Sequence, residues 1–384
     1  MRLAIYVREQ PSFSETFIAS QLDGLRPHLV ISGIPFATTA SQETFYPPQL
    51  TASIVSQLWA RAVRKQCVSE VQRTAAEKVL TREKISILLA NYGPEGVKFI
   101  ATCKALNIPL VTHFHGFDGH MASVIEQHGR FYRALGEGGN CIIVPSNIMR
   151  EKLELLGTPA ESISVIRYGV DPDRFRARSD PPADPIFFSV GRFTDKKAPY
   201  LTLLAFKSVL DRFPAARLIL AGDGELLETT KNLASCLGIS EHVGFPGVLK
   251  PKGVAEHMCR VTAYVQHSIT PANGPAAGDK EGTPVALLEA MMVGLPIIAS
   301  RHAGIGEVIV HRQTGLLFEE RDVAGMASAM ISVAGNPSLA CRLGESARIE
   351  AQEKYQERTY VSALQQYLEK TLSEWRTPNC VART

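Results

Sequence analysis

Short apolar runs alternate with longer amphipathic segments along this chain, and the alternation stops once before it starts again. Strands are expected at Arg2–Val7, Leu29–Ile34, Ile85–Ala90, Pro109–His113 and Cys141–Val144. Helices are expected between them at Glu15–Leu25, Ile54–Leu80, Gly96–Leu106 and Ala122–Leu135, with another opening at Ser146, a good N-cap. Such alternation folds as a parallel sheet with helices on both faces. From Val170 to Pro185, four prolines and several aspartates rule out a long helix or a central strand. The pattern then resumes, with strands at Ile186–Val190, Ala216–Ala221, Val243–Phe245, Ala263–His267 and Ile297–Ala299. Helices are expected at Tyr200–Arg212, Glu225–Leu237 and Val285–Val293, followed by a polar helical tail from Val323 to about Trp375. The expected fold class is therefore α/β, with two doubly wound parallel-sheet domains facing a cleft. Their expected limits are 1–168 and 186–355, joined by a linker over 169–185.

A chain of 384 residues has length for two cores. With 45% hydrophobic and 21% charged residues it has an ordinary globular composition, and a net charge of +3 is too small for a nucleic-acid wrapper. No run of about 18 uncharged apolar residues marks a transmembrane span. The apolar run at Met1–Val7 is too short for a signal peptide, so none is expected. Seven cysteines are scattered, odd in number and never spaced as C-x-x-C, which fits neither a disulfide framework nor a zinc knuckle. A reducing, cytoplasmic location is expected.

In doubly wound folds ligands sit beyond the carboxyl ends of the strands, so the loops there hold the candidate chemistry. The sharpest signal is a pair of carboxylates, Glu281 and Glu289, in the stretch Glu281-Gly282-Thr283-Pro284 and the helix after it. Thr283 is expected to cap a helix starting at Pro284, with Gly294 and Pro296 ending it. Glu281 then lies among free backbone N–H groups. Glu289 sits in a helix apolar all round, so it needs a partner: two hydroxyls of a diol, or an arginine in the core. The spacing leaves both open. Arg192 and Lys197 follow the first strand of the second half and fit a pyrophosphate clamp or a solvated basic loop. Gly222 and Gly224 form a glycine turn that lacks the third glycine of a dinucleotide fingerprint, and no P-loop sequence is present. His113, His115 and His120 lack acidic or thiol partners at zinc spacing, so no metal site is expected. One of the first two imidazoles is expected to face the cleft, with the other packed. Ser14 is placed to cap the first helix and aim its positive end at the cleft.

These residues together resemble the family-4 retaining glycosyltransferases of the GT-B fold over nearly the whole chain. The resemblance rests on Glu281-x7-Glu289, Gly191-Arg192 with Lys197, Gly222-Asp-Gly224 and Phe114-His115-Gly-Phe-Asp118. Pro11-x-x-Ser14-Glu-Thr-Phe-Ile18 and Gly278-Asp-Lys-Glu-Gly-Thr-Pro284 resemble more narrowly the exopolysaccharide enzymes of the colanic-acid and amylovoran kind. The resemblance implies two Rossmann-like domains and transfer of a hexose-type sugar from a UDP-, GDP- or ADP-sugar to a hydroxyl acceptor, without a metal or other cofactor. It implies that Arg192 and Lys197 hold the donor diphosphate, Glu289 the ribose hydroxyls and Glu281 the donor sugar, with Gly282, Thr283 and Pro284 lining that loop. His115 would stand near the sugar's reacting side. Gly247, Val248 and Leu249 would read the base through their backbone. Many relatives carry a glycine pair in the first loop, where this chain has Gln10-Pro-Ser-Phe-Ser14, so Ser14 is the substitute there. The last helix, within 356–384, would cross back onto the first domain.

An apolar stripe of Ile54, Val55, Leu58, Trp59, Ala62 and Val63 carries Arg61, Arg64 and Lys65, with Arg73, Lys78, Arg82 and Lys84 beyond it. It suits either an anionic membrane interface, with a lipid-linked acceptor, or packing on its own sheet. The alternatives are transfer to a soluble acceptor and a sugar-nucleotide-binding protein without activity. Glycogen-type phosphorylase chemistry has no support at this length, and the missing third glycine argues against a dehydrogenase.

Overall fold

Two sheets form where the two runs of alternation lie. The computed structural model describes residues 1–8, 15–32, 37–38, 73–177 and 182–376. The first sheet holds β1 (Leu3–Val7), β2 (Leu29–Ser32), β3 (Ala37–Thr38), β4 (Ile87–Asn91), β5 (Leu110–His113), β6 (Cys141–Val144) and β7 (Ile163–Val165). Its order is β3-β2-β1-β4-β5-β6-β7, parallel except for the edge pair β2 and β3. The second holds β8 (Ile186–Val190), β9 (Arg217–Ala221), β10 (Val243–Gly247), β11 (Ala263–Gln266), β12 (Ile297–Ser300) and β13 (Gly315–Phe318), ordered β10-β9-β8-β11-β12-β13 and parallel throughout. Every residue of β1, β4, β5, β11 and β12 is buried, as strands covered on both faces must be. Each sheet reverses its winding once, between β1 and β4 and between β8 and β11. The loops leaving those switch points are where this architecture opens a crevice.

The backbone crosses between the sheets twice, and the two crossings are tied together. Val170 N donates to Tyr355 O at 2.8 Å, and Glu357 N donates to Val170 O at 3.0 Å. The segment read as a linker is packed at its start, with Tyr168, Val170 and Phe175 buried in the apolar core. After the second crossing the helix Glu357–Arg376 lies against the first helix, Thr16–Leu25, and Trp375 Nε1 donates to Asn107 O at 3.0 Å.

Several expected boundaries change for local reasons. The helix expected over Ala122–Leu135 ends at His128 and gives way to two short 3-10 turns, Gly129–Phe131 and Arg133–Leu135. The polar tail is three helices, Val323–Gly335, Pro337–Lys354 and Glu357–Arg376. Its first break is at Asn336, whose side chain caps Leu339 N at 2.9 Å while Pro337 starts the next helix. Strands β7 and β13 and the helix Pro251–Met258 had no expectation attached to them. Ser146 caps as expected, accepting from Met149 N at 3.3 Å. Residues 54–72 of the apolar-basic stripe lie outside the described residues. Helix residues 73–82 bury Ala76, Val79 and Leu80 in the first sheet's core, with Lys78 and Lys84 exposed. Among the described residues no helix is long and apolar enough to cross a membrane.

Candidate active site

Arg192 and Lys197 leave the end of β8 on a loop stitched to the glycine turn after β9. Gly191 N donates to Ala221 O at 3.0 Å, Phe193 N to Asp223 O at 2.9 Å and Leu226 N to Phe193 O at 3.0 Å. Gly222 has φ +133°, and a Cβ there would lie 1.9 Å from Gly191 O, so only glycine lets the two loops touch. Gly222 and Gly224 thus build the seat on which the Arg192 loop rests. Arg192 is exposed, and among the described residues its guanidinium closes no ion pair. Lys197 is partly buried, and its Nζ lies 2.9 Å from Glu281 Oε1.

Glu281 is held from three sides. Ser268 Oγ, just after β11, donates to Oε1 at 3.2 Å, and Ser268 in turn accepts from Gln266 Nε2 at 2.8 Å. The Glu281 backbone N–H donates to His302 Nε2 at 3.1 Å, while His302 Nδ1 donates to Glu320 Oε1 at 2.7 Å. That carboxylate is itself pinned by Thr270 N at 2.7 Å. His302 is therefore neutral, with its proton on Nδ1, and orients the Glu281 loop as an acceptor. Burial pushes the Glu281 carboxyl up, but the Lys197 and Lys196 ammoniums outweigh it, so the group ionises well below the usual carboxylate range. Burial also lowers Lys197, against the pull of Glu281. At neutral pH the pair is charged. Next to it Lys196 Nζ meets Asp279 Oδ2 at 2.9 Å, leaving Asp279 Oδ1 buried with no partner.

Glu289 lies in the helix Val285–Val293, whose residues from Leu287 onward are all buried. The residue is 7% exposed, and among the described residues no cation closes an ion pair with its carboxylate. Burial pushes it up to about 7, with Arg174 pulling weakly the other way. The core-arginine alternative therefore fails here, since Arg174 leans on Asp171 at 3.9 Å instead. The helix N-cap is Pro284, with no side-chain cap, not Thr283 as expected. The Thr283 hydroxyl points across the cleft to Pro145 O at 3.4 Å.

The first domain meets this loop through the segment after β5. One imidazole of this stretch was expected to face the cleft, and the ring nitrogens of His115 are both engaged inside the protein. Asn91 Nδ2 donates to Tyr6 O at 3.2 Å, which leaves Asn91 Oδ1 to accept from His115 Nε2 at 2.8 Å. His115 Nδ1 then accepts from the Tyr168 hydroxyl at 2.7 Å. Both ring nitrogens are used within the protein, and burial and neighbouring His113 hold the ring neutral. His113 is packed too, its Nδ1 accepting from Gln21 Nε2 at 2.9 Å. What His115 turns to the other domain is its carbonyl: a Cβ on Gly282 would lie 2.3 Å from it. Asp118 is fully buried and accepts from Gly93 N at 3.0 Å, His115 N at 3.0 Å and Gly116 N at 2.8 Å, which fixes this loop. Of the remaining candidates, Gly247 ends β10 with φ +75° and open space beside it, Val248 is exposed and Leu249 partly buried. Ser14 lies outside the described residues, and the N-cap of the first helix is Glu15, with no side-chain cap. Among the described residues no group of three His, Cys, Asp or Glu side chains is placed to hold a metal ion.

Residues 43–174 match the family described as Glycosyltransferase Family 4, and residues 171–350 match Glycosyl transferases group 1. Between them the two matches span residues 43–350, over which the chain is similar to the family-4 glycosyltransferases. WcaL of Escherichia coli strain K12, a glycosyltransferase named for colanic acid biosynthesis, is 30% identical over 258 residues. That match covers 66% of this chain and 62% of WcaL, a little under two thirds of the relative's length. The amylovoran biosynthesis glycosyltransferase AmsK of Erwinia amylovora is 27% identical over 288 residues, 74% of this chain and 70% of AmsK. The fold is that of Anabaena HepE, whose crystal structure holds UDP-glucose, with a TM-score of 0.76 at 15% identity over 96% of this chain and 99% of HepE. As the two switch points require, the Arg192–Lys197 loop, Glu281 and the His115 backbone converge from separate loops. Sequence reasoning did not find His302, Glu320, Ser268 or the Lys196–Asp279 pair. Lys196 adjoins Lys197 and Asp279 lies two positions before Glu281, which is a usable signal; His302 approaches Glu281 from 21 positions away and has none.

Proposed function

We propose that the glycosyltransferase moves a hexose-type sugar from a nucleoside-diphosphate sugar to a hydroxyl acceptor, with retention of anomeric configuration and without a metal ion. The observation that carries this reading is the meeting of Arg192, Lys197 and Glu281 at the mouth of β8, beside a buried Glu289 with no internal partner. A diphosphate needs positive charge, which Arg192 and Lys197 supply at the end of the strand. A ribose offers two hydroxyl donors, which is what an unpaired buried carboxylate lacks. Glu281 and the backbone of Gly282, Thr283 and Pro284 then face the sugar, and Gly247–Leu249, with open space beside Gly247, face the base. Gly222 and Gly224 hold the Arg192 loop for this purpose.

The reaction follows from those positions. The bond from the anomeric carbon to the leaving phosphate oxygen breaks as the acceptor oxygen attacks from the same face. The acceptor's proton passes to the departing phosphate. The protein's part is to position the two substrates and stabilise charge on the diphosphate. HepE was crystallised with UDP-glucose, which makes UDP-sugars the first donors to try, followed by GDP- and ADP-sugars. The relatives named for colanic acid and amylovoran biosynthesis support a role in exopolysaccharide or glycolipid synthesis, with a lipid-linked acceptor at the cytoplasmic membrane face. A thermal-shift panel of nucleoside diphosphates and their sugars, run with a chelator present, tests the donor. A melting temperature that rises with one nucleotide series supports it. Anomeric proton couplings in the product then test retention.

A further inference from the structure

We infer that Glu307 is a positioning residue for sugar transfer: its carboxylate holds the two domains in register across the active-site cleft. It acts through the loop segment that backs Glu281 and Gly282, and the inference rests on the transfer reaction proposed above.

Glu307 belongs to the second domain, on the short helix Ile305–Val308 after β12. Among the described residues, the side-chain carboxylate's hydrogen-bond donors all belong to the first. Asn147 N and Asn147 Nδ2 each donate to Oε2 at 3.0 Å, Ile148 N donates to Oε1 at 2.8 Å, and Arg167 NH2 reaches Oε2 at 3.4 Å. Asn147 and Ile148 open the nine-residue helix Asn147–Leu155. The first N–H groups of a helix have no partner within it and carry its positive end. Ser146 satisfies only Met149 N. The cap of this first-domain helix is thus completed from the second domain, by a negative charge that suits it.

The same short segment sets the active-site loop. A Cβ on Gly304 would lie 1.6 Å from Gly282 O, and one on Gly282 would lie 2.3 Å from His115 O. Three backbone layers, Gly304, Gly282 and His115, are stacked across the cleft with no room for a side chain between them. His302, two residues before Gly304, holds the Glu281 N–H. Thr283 reaches Pro145 O, next to the helix that Glu307 caps. A shift of Glu307 against Asn147 therefore slides the Glu281–Thr283 loop along the segment that begins at His115. Arg192, Lys197 and Glu289 all belong to the second domain and do not depend on this contact.

The test uses Glu307→Gln, which keeps the shape, and Glu307→Ala, which removes the contact. With the register lost, kcat for transfer should fall about 10²-fold, the cost of a misplacement near 1 Å. The dissociation constant for UDP-sugar or UDP alone should stay within about twofold, because its binding groups lie in one domain. Small-angle scattering should show a larger radius of gyration in Glu307→Ala, with Glu307→Gln between it and the wild type. Unchanged kcat and an unchanged scattering curve would overturn the inference, as would a matching loss of nucleotide affinity. If the wild-type protein transfers no sugar at all, the proposed function fails; the scattering comparison still decides whether Glu307 holds the domains together.

Discussion

Lys197 Nζ stands 2.9 Å from Glu281 Oε1, so the cation expected to hold a donor's diphosphate is paired with the carboxylate expected to face its sugar. The pair is mostly shielded from water, and Ser268 completes it from the side. Breaking a buried pair by removing one partner leaves the other charge uncompensated. Lys197→Ala should therefore destabilise the protein by about 3 kcal/mol at pH 7. Adding Glu281→Gln should restore part of that. Because Glu281 ionises below the ordinary carboxylate range, its contribution is present above that range and disappears as the pH falls beneath it. Urea titrations of the single and double variants at pH 7 and at about pH 2.5 check both statements, and equal stability of all variants at pH 7 would refute the first.

Glu289 predicts the opposite slope. Its carboxyl is pushed up to about 7 by burial, so between the ordinary carboxylate pKa and about pH 7 the folded state holds a proton that the unfolded state has lost. Stability should fall with rising pH across that window and level off above it. Glu289→Gln should remove the fall and raise stability at pH 8 by about 2–3 kcal/mol. Melting curves from pH 5 to pH 8.5 measure this.

Binding should report the same titration. If the ionised carboxylate accepts from ribose hydroxyls, affinity for a nucleoside-diphosphate sugar should rise with pH up to about 7 and then flatten. In Glu289→Gln it should be weaker, by about 1.5–3 kcal/mol at pH 8, and independent of pH. Calorimetric titrations at four pH values decide it, and parallel curves for both proteins would remove Glu289 from the nucleotide site.

Arg192 is exposed, so its loss should leave the melting temperature nearly unchanged. Turnover of the donor should drop about 10²–10³-fold in Arg192→Ala, the scale for one lost transition-state donor. Steady-state kinetics beside a melting curve separates this from Lys197→Ala, where both should move.

Asp118 is expected to behave as a structural residue. It is fully buried and serves three backbone N–H groups, so Asp118→Ala should cost roughly 2–4 kcal/mol of stability. Nucleotide affinity of the folded fraction should not change. A loss of affinity without a loss of stability would place Asp118 on the ligand instead.

The local grammar of the chain determined its elements. Alternating apolar runs produced both sheets, the proline-rich Val170–Pro185 stretch separated them, and Val285–Val293 is helical over the expected span. These are matters of backbone preference and side-chain period, which act within a few residues. Ser146 capping Met149 is of the same kind. The assignment of chemical duties was decided elsewhere. Nothing near His115 in sequence says that Asn91 and Tyr168 consume both its nitrogens, because those partners arrive from the end of β4 and from a loop, at 24 and 53 positions' distance. His302 reaches Glu281 only because β12 lies beside β11, and Glu307 reaches Asn147 across 160 residues only because the two sheets face each other. A hydrogen bond depends on ångström-scale placement of both ends. Local pattern fixes each end within its own element, and only the packing of the two domains brings the ends together.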